Sequence, residues 1–337
     1  MTALESKVMS APSLINLSEI AVARRSRRSS ASNRWSTVRK IGLVISHFLL
    51  SNRAFYAFLG ILNSRTFSIN TIFLVYPGSP DLYHGPSHRL AWKYASWRPT
   101  LIGLFRHAGS WGLTFAIAST QSEIRQPANA VLLTRVCAQM HQIMRAVRAQ
   151  EVRFAGIIPS ILAARGAPTA KLERASAVAA ALRAEAFVRS QEQIDEAAPV
   201  ILLGASGFVG RELARRLAHR NAYAVDVGRA GGNFPNGHSF PSHLHGNKAL
   251  LINVTRASTL ERYIEMLWPD LVILNETYPA PPQRILRKLL DLNCKLYHIA
   301  GAAGDAYPSF PGAYAGAIPC CAANITGETE LVVRRLV

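Results

Sequence analysis

The apolar positions of this chain fall into short unbroken runs, separated by longer stretches in which they recur every three or four residues. Residues 71–77 form one such run, closed by Pro77 and Gly78, which predicts a buried strand. Residues 111–118 and 152–158 carry the same signature, the latter stopping at Pro159 and Ser160. Between them Leu132, Leu133, Val136, Met140, Ile143, Met144 and Val147 step by three and four, which predicts a helix over 130–150 with one apolar face. An alanine-rich helix is predicted over 169–191. The second half repeats the alternation, with strands at 200–203, 223–227, 249–254, 270–275 and 295–300. Helices are predicted after Gly210 and over 259–267 and 283–292, with loops at 231–247 and 301–319 and a closing segment at 320–336. There is no internal repeat. The fold class is therefore α/β with two α/β domains, at 69–195 and 196–337, preceded by an extension at 1–68.

The extension differs from the rest. It holds ten Lys/Arg, seven of them between Arg24 and Lys40, against two acids, and a serine-rich patch follows at 29–36. Residues 41–62 are apolar but broken by His47 and by Ser51-Asn52-Arg53. A spanning helix needs about 20 mostly apolar residues, and an arginine near its centre costs about 2.5–3.5 kcal/mol. The segment is thus expected either to pack on the body or to make peripheral contact with an anionic membrane through residues 24–62. The apolar run starts late and lacks a small-residue cleavage pattern, so no secretory leader is expected and the chain is read as cytoplasmic.

The strand at 200–203 runs into Gly204-Ala205-Ser206-Gly207-Phe208-Val209-Gly210 and then a helix, with Leu213 and Leu217 on one face. Gly204 suits a tight turn, Gly207 a close backbone approach to a pyrophosphate, and Gly210 close helix packing. The free amides and dipole of the helix start would hold the phosphates. This predicts a Rossmann-type NAD(P)-binding parallel sheet in the second domain. Arg229, behind Gly228 and after the next strand, stands where a 2′-phosphate is met. It favours NADPH over NADH, with Asp226 as the competing ribose ligand.

The net charge of +18 fits nucleic acid, an anionic surface or acidic ligands. Zinc-finger spacing and RNA-binding aromatic signatures are missing, so no nucleic-acid partner is expected. Cys137, Cys294, Cys320 and Cys321 show no disulfide framework and are read as reduced thiols. His238, His243 and His245 crowd one loop without an acid or cysteine beside them, so no metal site is expected. No G-x-S-x-G elbow supports a serine hydrolase. Tyr263, Tyr278 and Tyr297 lack a lysine four residues on, which removes the short-chain dehydrogenase pair. Cys320 or Cys321, following a small-residue loop, could attack a carbonyl beside a nicotinamide, or could simply fill a buried apolar position.

The order of these features resembles the aldehyde-forming long-chain acyl-[acyl-carrier-protein] reductases and related amino-acid dehydrogenase-like proteins over residues 70–330. The resemblance rests on Ile72-Phe-Leu-Val-Tyr-Pro77, Gly156 and Ser160, the turn at Gly204–Gly210, Gly228-Arg229, Leu274-Asn-Glu-Thr-Tyr-Pro279, and the segment from Cys320 to Glu330 including Glu328. It implies NADPH-dependent reduction of an acyl thioester, on an acyl carrier protein or CoA, to an aldehyde, with Cys320 as nucleophile. The alternatives are direct hydride transfer to an amino acid or small hydroxy/keto acid, and a non-catalytic nucleotide-binding protein. The chain departs from the family pattern at Ala170–Glu173, where a Gly-Asn pair is lost. It departs again at Glu276 and Thr277, where the family has two glycines, and at Ala323, where it has an acid.

Overall fold

The computed structural model describes residues 51–66, 68–77, 95–166, 170–225, 239–325 and 329–337. Helix α1 (Arg53–Asn63) opens them, with the Asn52 side chain accepting from the Phe55 amide at 2.8 Å as an N-cap. Tyr56 and Gly60 are its buried positions, and the Asn63 amide donates to the carbonyls of Ile69, Val147 and Arg148. Residues 53–63 of the extension therefore pack on the first domain, while Phe58 and Ile61 stay exposed.

The first sheet contains β1 (Ile69–Val75), β2 (Thr100–His107), β3 (Ser110–Ala116) and β4 (Glu151–Phe154). β1 lies between β3 and β4, parallel to both, and β2 returns antiparallel beside β3. Helices α2 (Gln121–Arg125) and α3 (Ala130–Val147) follow β3, and α3 buries Leu133, Val136, Met140, Ile143 and Val147. β2 has no counterpart among the strands predicted above. It carries Ile102 and Leu104, both exposed, beside Leu101 and the buried Phe105, so the apolar/polar alternation of a half-buried strand is blurred.

The strand predicted over 152–158 ends early, at Phe154. Gly156 takes φ +58°, which an extended strand cannot hold, and the chain turns into α4 (Ile158–Ala164) with Pro159 in the first helical turn. Helix α5 (Ala170–Glu192) then runs about 34 Å, at about 1.5 Å per residue.

The second sheet is built from β5 (Val200–Leu203), β6 (Ala222–Val225), β7 (Leu250–Asn253), β8 (Val272–Asn275) and β9 (Lys295–Ala303), all parallel in the order β6-β5-β7-β8-β9. β5, β7 and β8 are buried along their whole length, as strands covered on both faces must be. Helices α6 (Gly210–Leu217), α7 (Ala257–Tyr263) and α8 (Gln283–Asp291) connect them. Although it precedes β5, α5 packs on β7, β8 and β9, and its buried Ala177, Ala180, Ala181 and Ala184 allow a close approach.

Glu185 of α5 anchors this packing. Its carboxylate, 1% exposed, pairs with Arg189 and with Arg220 at 2.7 Å, and Arg189 also donates to the carbonyls of Asp195 and Ala198. Glu185→Ala leaves the Arg189 guanidinium, 5% exposed, without its carboxylate. The expected loss is about 3–5 kcal/mol, read as a lower urea midpoint with unchanged slope.

The stretch 301–319 is not only loop. β9 extends to Ala303, β10 (Asp305–Tyr307) crosses to the first sheet and pairs antiparallel with β2, and β11 (Ala317–Ile318) returns against β9. β12 (Leu331–Arg335) closes the described chain antiparallel to β9. Among the described residues no helix is long and apolar enough to cross a membrane.

Candidate functional site

Both sheets aim the carboxyl ends of their parallel strands at one cavity of about 640 Å³. From the first sheet come Tyr76 after β1, Ile117 after β3 and the residues around Gly156 after β4; from the second come Thr255 and Arg256 after β7, and Glu276 after β8. Pro308 and Phe310, just after β10, the strand that crosses between the sheets, close another wall, with Phe310 edge-on to Phe73. A volume of this size and a mostly apolar wall are those of a small-molecule site.

The glycine turn lies at the switch point of the second sheet, where β6 and β7 flank β5 on opposite sides. Gly204 takes φ +101° and is packed against the Thr255 methyl. Gly210 presses on the Gly204 carbonyl with no room for a Cβ. At Gly207 the nearest atom to an added Cβ would be the Gly204 oxygen at 3.1 Å, so that side is nearly open. No side chain caps the start of α6, and Phe208 and Val209 line the cavity. Ala205 is buried in the core, and the Ser206 carbonyl accepts from Arg211 Nε at 3.0 Å. These residues fit the pyrophosphate of a dinucleotide. Arg229, Asp226, His238 and Glu328 lie outside the described residues.

Cys320 and Cys321 both line the cavity. The Cys320 thiol donates to Glu276 Oε1 at 3.7 Å. Its pKa is raised by the hydrogen bond with Cys321, by burial and by the Glu276 charge. Burial also pushes the Glu276 carboxyl up to about 8. Tyr278 reaches the Tyr76 carbonyl and Tyr314 the Thr277 carbonyl, both at 3.4 Å, and burial raises the Tyr314 hydroxyl. Cys137 and Cys294 are elsewhere, each raised by burial to about 11, with Cys294 donating to the Trp268 carbonyl. His243 bonds Tyr223, and the His245 ring packs on Trp268.

Beneath the cavity runs a buried polar row that no motif announced. Asn253, Asn275 and His298 are register partners on adjacent strands. The Asn253 amide donates to Asn275 Oδ1 at 2.7 Å, and the Asn275 amide to His298 Nδ1 at 2.9 Å. Burial lowers the His298 pKa to about 4, so its ring is neutral. Asn253 also holds the Thr255 amide and hydroxyl, at 3.0 and 2.6 Å, and Asn275 the Thr277 hydroxyl at 3.2 Å. The row thereby sets both loops that carry Arg256 and Glu276. The sequence does hold a signal for it: β7 reads Leu-Leu-Ile-Asn and β8 Val-Ile-Leu-Asn, each ending an apolar strand in the same amide.

In the first domain Glu173 also lines the cavity and accepts from the Phe154 amide at 3.2 Å, with its pKa raised by burial. Arg125 and Arg256 line it as well, and among the described residues neither pairs with a carboxylate. Burial lowers the Arg256 pKa.

No family model and no curated protein matches the sequence. Among solved structures, the chain is similar to a D-mandelate dehydrogenase of Rhodotorula graminis at 17% identity, over 45% of this chain and 52% of that one, with a TM-score of 0.23. An acyclic imino acid reductase in complex with NADPH and D-arginine gives 12% identity, 47% and 57% coverage and a TM-score of 0.24. An NADPH-dependent glyoxylate/hydroxypyruvate reductase of Sinorhizobium meliloti gives 15%, 67% and 77%, and 0.25. The chain spans only about half the length of the first two, 52% and 57%. None of the three is an acyl-carrier-protein reductase, and at such TM-scores none bears on the reaction.

Proposed function

We propose that this protein is an NADPH-dependent reductase acting in the cleft between its two sheets. The glycine turn at the switch point, with Phe208 and Val209 on the cavity wall, supports the dinucleotide, and the place of Arg229 in the sequence supports NADPH. For the reaction we favour an acyl thioester taken to the aldehyde. The observation that carries this is the Cys320 thiol on the wall of that cavity, 3.7 Å from the Glu276 carboxyl. Cys320 Sγ bonds to the acyl carbon, the bond to the carrier sulfur breaks, and the carrier leaves as a thiol. When bound, NADPH would supply the hydride that brings the Cys320 thioester to the aldehyde level. The reduction consumes one proton, which solvent supplies to the oxygen of the thiohemiacetal on Cys320; this then releases the aldehyde and restores the thiol. The apolar walls, from Phe73 and Val75 to Phe310, suit an acyl chain, and the basic chain suits an acidic carrier.

Arg125 and Arg256 favour a second reading, in which a free cation meets the carboxylate of a small hydroxy, keto or amino acid and hydride passes directly. That is the substrate class named for the three solved enzymes above, whose likeness is too low to add weight.

The test is NADPH oxidation by the full chain against acyl-CoA and acyl-carrier thioesters of several lengths, beside a panel of 2-keto and imino acids. Oxidation with thioesters and release of aldehyde is the expected result. If acids alone are reduced, and Arg256→Ala raises KM for them by roughly 10–150-fold, as loss of about 1.5–3 kcal/mol implies, the second reading replaces the first. NADPH bound without oxidation by either panel identifies a non-catalytic nucleotide-binding protein.

A further inference from the structure

We propose that Glu276 is the proton acceptor for the Cys320 thiol and the proton donor to the departing carrier sulfur. The inference rests on the thioester reading above. Cys320 Sγ and Glu276 Oε1 are 3.7 Å apart, on segments 44 residues distant that meet only because β9 and β11 bring the chain back over the end of β8. A thiol needs a base to become a nucleophile, and imidazole is the usual one. No histidine lines the cavity among the described residues, and His298 is turned edge-on to the Tyr314 ring. Glu276 has no cationic partner among the described residues, so its carboxyl is not held in an ion pair and is free to take a proton.

The proton count closes. The Cys320 proton passes to Glu276 as sulfur attacks, and the same proton goes to the carrier thiolate as its bond to the acyl carbon breaks. Glu276 ends as it began.

The groups that face this pair are Cys321 and Tyr314 on the Cys320 side, and Tyr278 beyond Thr277. Tyr76, Glu173, Arg125 and Arg256 lie on the other walls. Burial keeps Tyr76 and Tyr314 neutral and raises the carboxyls of both Glu276 and Glu173, of which Glu276 is the one in contact with the thiol. Its pKa of about 8 gives the sign: below it the acid form cannot accept a proton, and above it the carboxylate can.

The test is the alkylation rate of Cys320 by iodoacetamide, followed by peptide mass spectrometry from pH 6.5 to 9.5, in the full chain and in Glu276→Gln. Glutamine keeps the shape and removes a buried charge, so the variant is expected to fold. The wild-type rate should climb through about pH 8, and the variant should lose that limb and react roughly 10²-fold more slowly above it. A neighbour that acts only by its charge gives the opposite sign, because removing the carboxylate lowers the thiol pKa and speeds alkylation. A faster or unchanged rate in Glu276→Gln therefore overturns the proposal. Failure of the thioester reading shows separately, as acyl-CoA that leaves no adduct on Cys320 while the alkylation profile keeps its limb.

Discussion

Cys320→Ser is expected to abolish NADPH-dependent thioester reduction, by roughly 10³-fold or more in kcat. Serine has nearly the volume of cysteine and can still donate to Glu276, so the cavity and its apolar walls remain. What is lost is a sulfur nucleophile that a carboxylate with a pKa of about 8 can deprotonate during attack. The same carboxylate is far too weak a base for an alcohol. Mass spectrometry after incubation with acyl-CoA should find the acyl group on the Cys320 peptide of the wild type and none on the variant. Cys321→Ser is the matched comparison, since Cys321 shares the cavity but Cys320 holds the hydrogen bond to Glu276. The variant should keep its adduct at Cys320. Near-wild-type turnover in Cys320→Ser would sink the covalent route and leave direct hydride transfer, with Arg125 and Arg256 as the ligands of an acid substrate.

What the sequence discloses follows from how local each feature is. The strand Val200–Leu203, the glycine turn and the helix from Gly210 occupy one continuous stretch, so their pattern is complete within it. The buried strands β7 and β8 are legible for the same reason. Glu276 is not legible as a partner of Cys320. On the chain it is a single acid just past an apolar strand, and it meets the thiol only through the β8–β9 pairing and the return of β11. The Asn253–Asn275–His298 row is only half legible: the two asparagines end their strands alike, but His298 lies inside β9 and joins them only when the register aligns the three. β2 is lost to a different cause: apolar residues on both faces remove the alternation. The crossing of β10 to the first sheet is set by pairing with β2 across roughly 200 residues, and the far end of β9 by pairing with β11 and β12, which no window along the chain can reveal.

The glycines of the turn should separate fold from ligand. A Cβ at Gly210 collides with the Gly204 carbonyl, a backbone atom that cannot move without displacing β5 or α6. Gly210→Ala is therefore expected to cost about 1–3 kcal/mol of stability, visible as a lower melting temperature, and to lose NADPH binding with it. Gly207 is different. An added Cβ would sit 3.1 Å from the Gly204 oxygen and otherwise meet open space, so a shift of a few tenths of an ångström accommodates it. Gly207→Ala should melt close to the wild type. If that open side is where the pyrophosphate approaches the backbone, the methyl occupies it, and NADPH affinity should fall by about 1–3 kcal/mol, roughly 5- to 150-fold in Kd by fluorescence titration. Unchanged NADPH binding by a well-folded Gly207→Ala would mean that the turn serves only to seat α6 against β5. The cavity chemistry at Cys320 and Glu276 would then need another source of hydride.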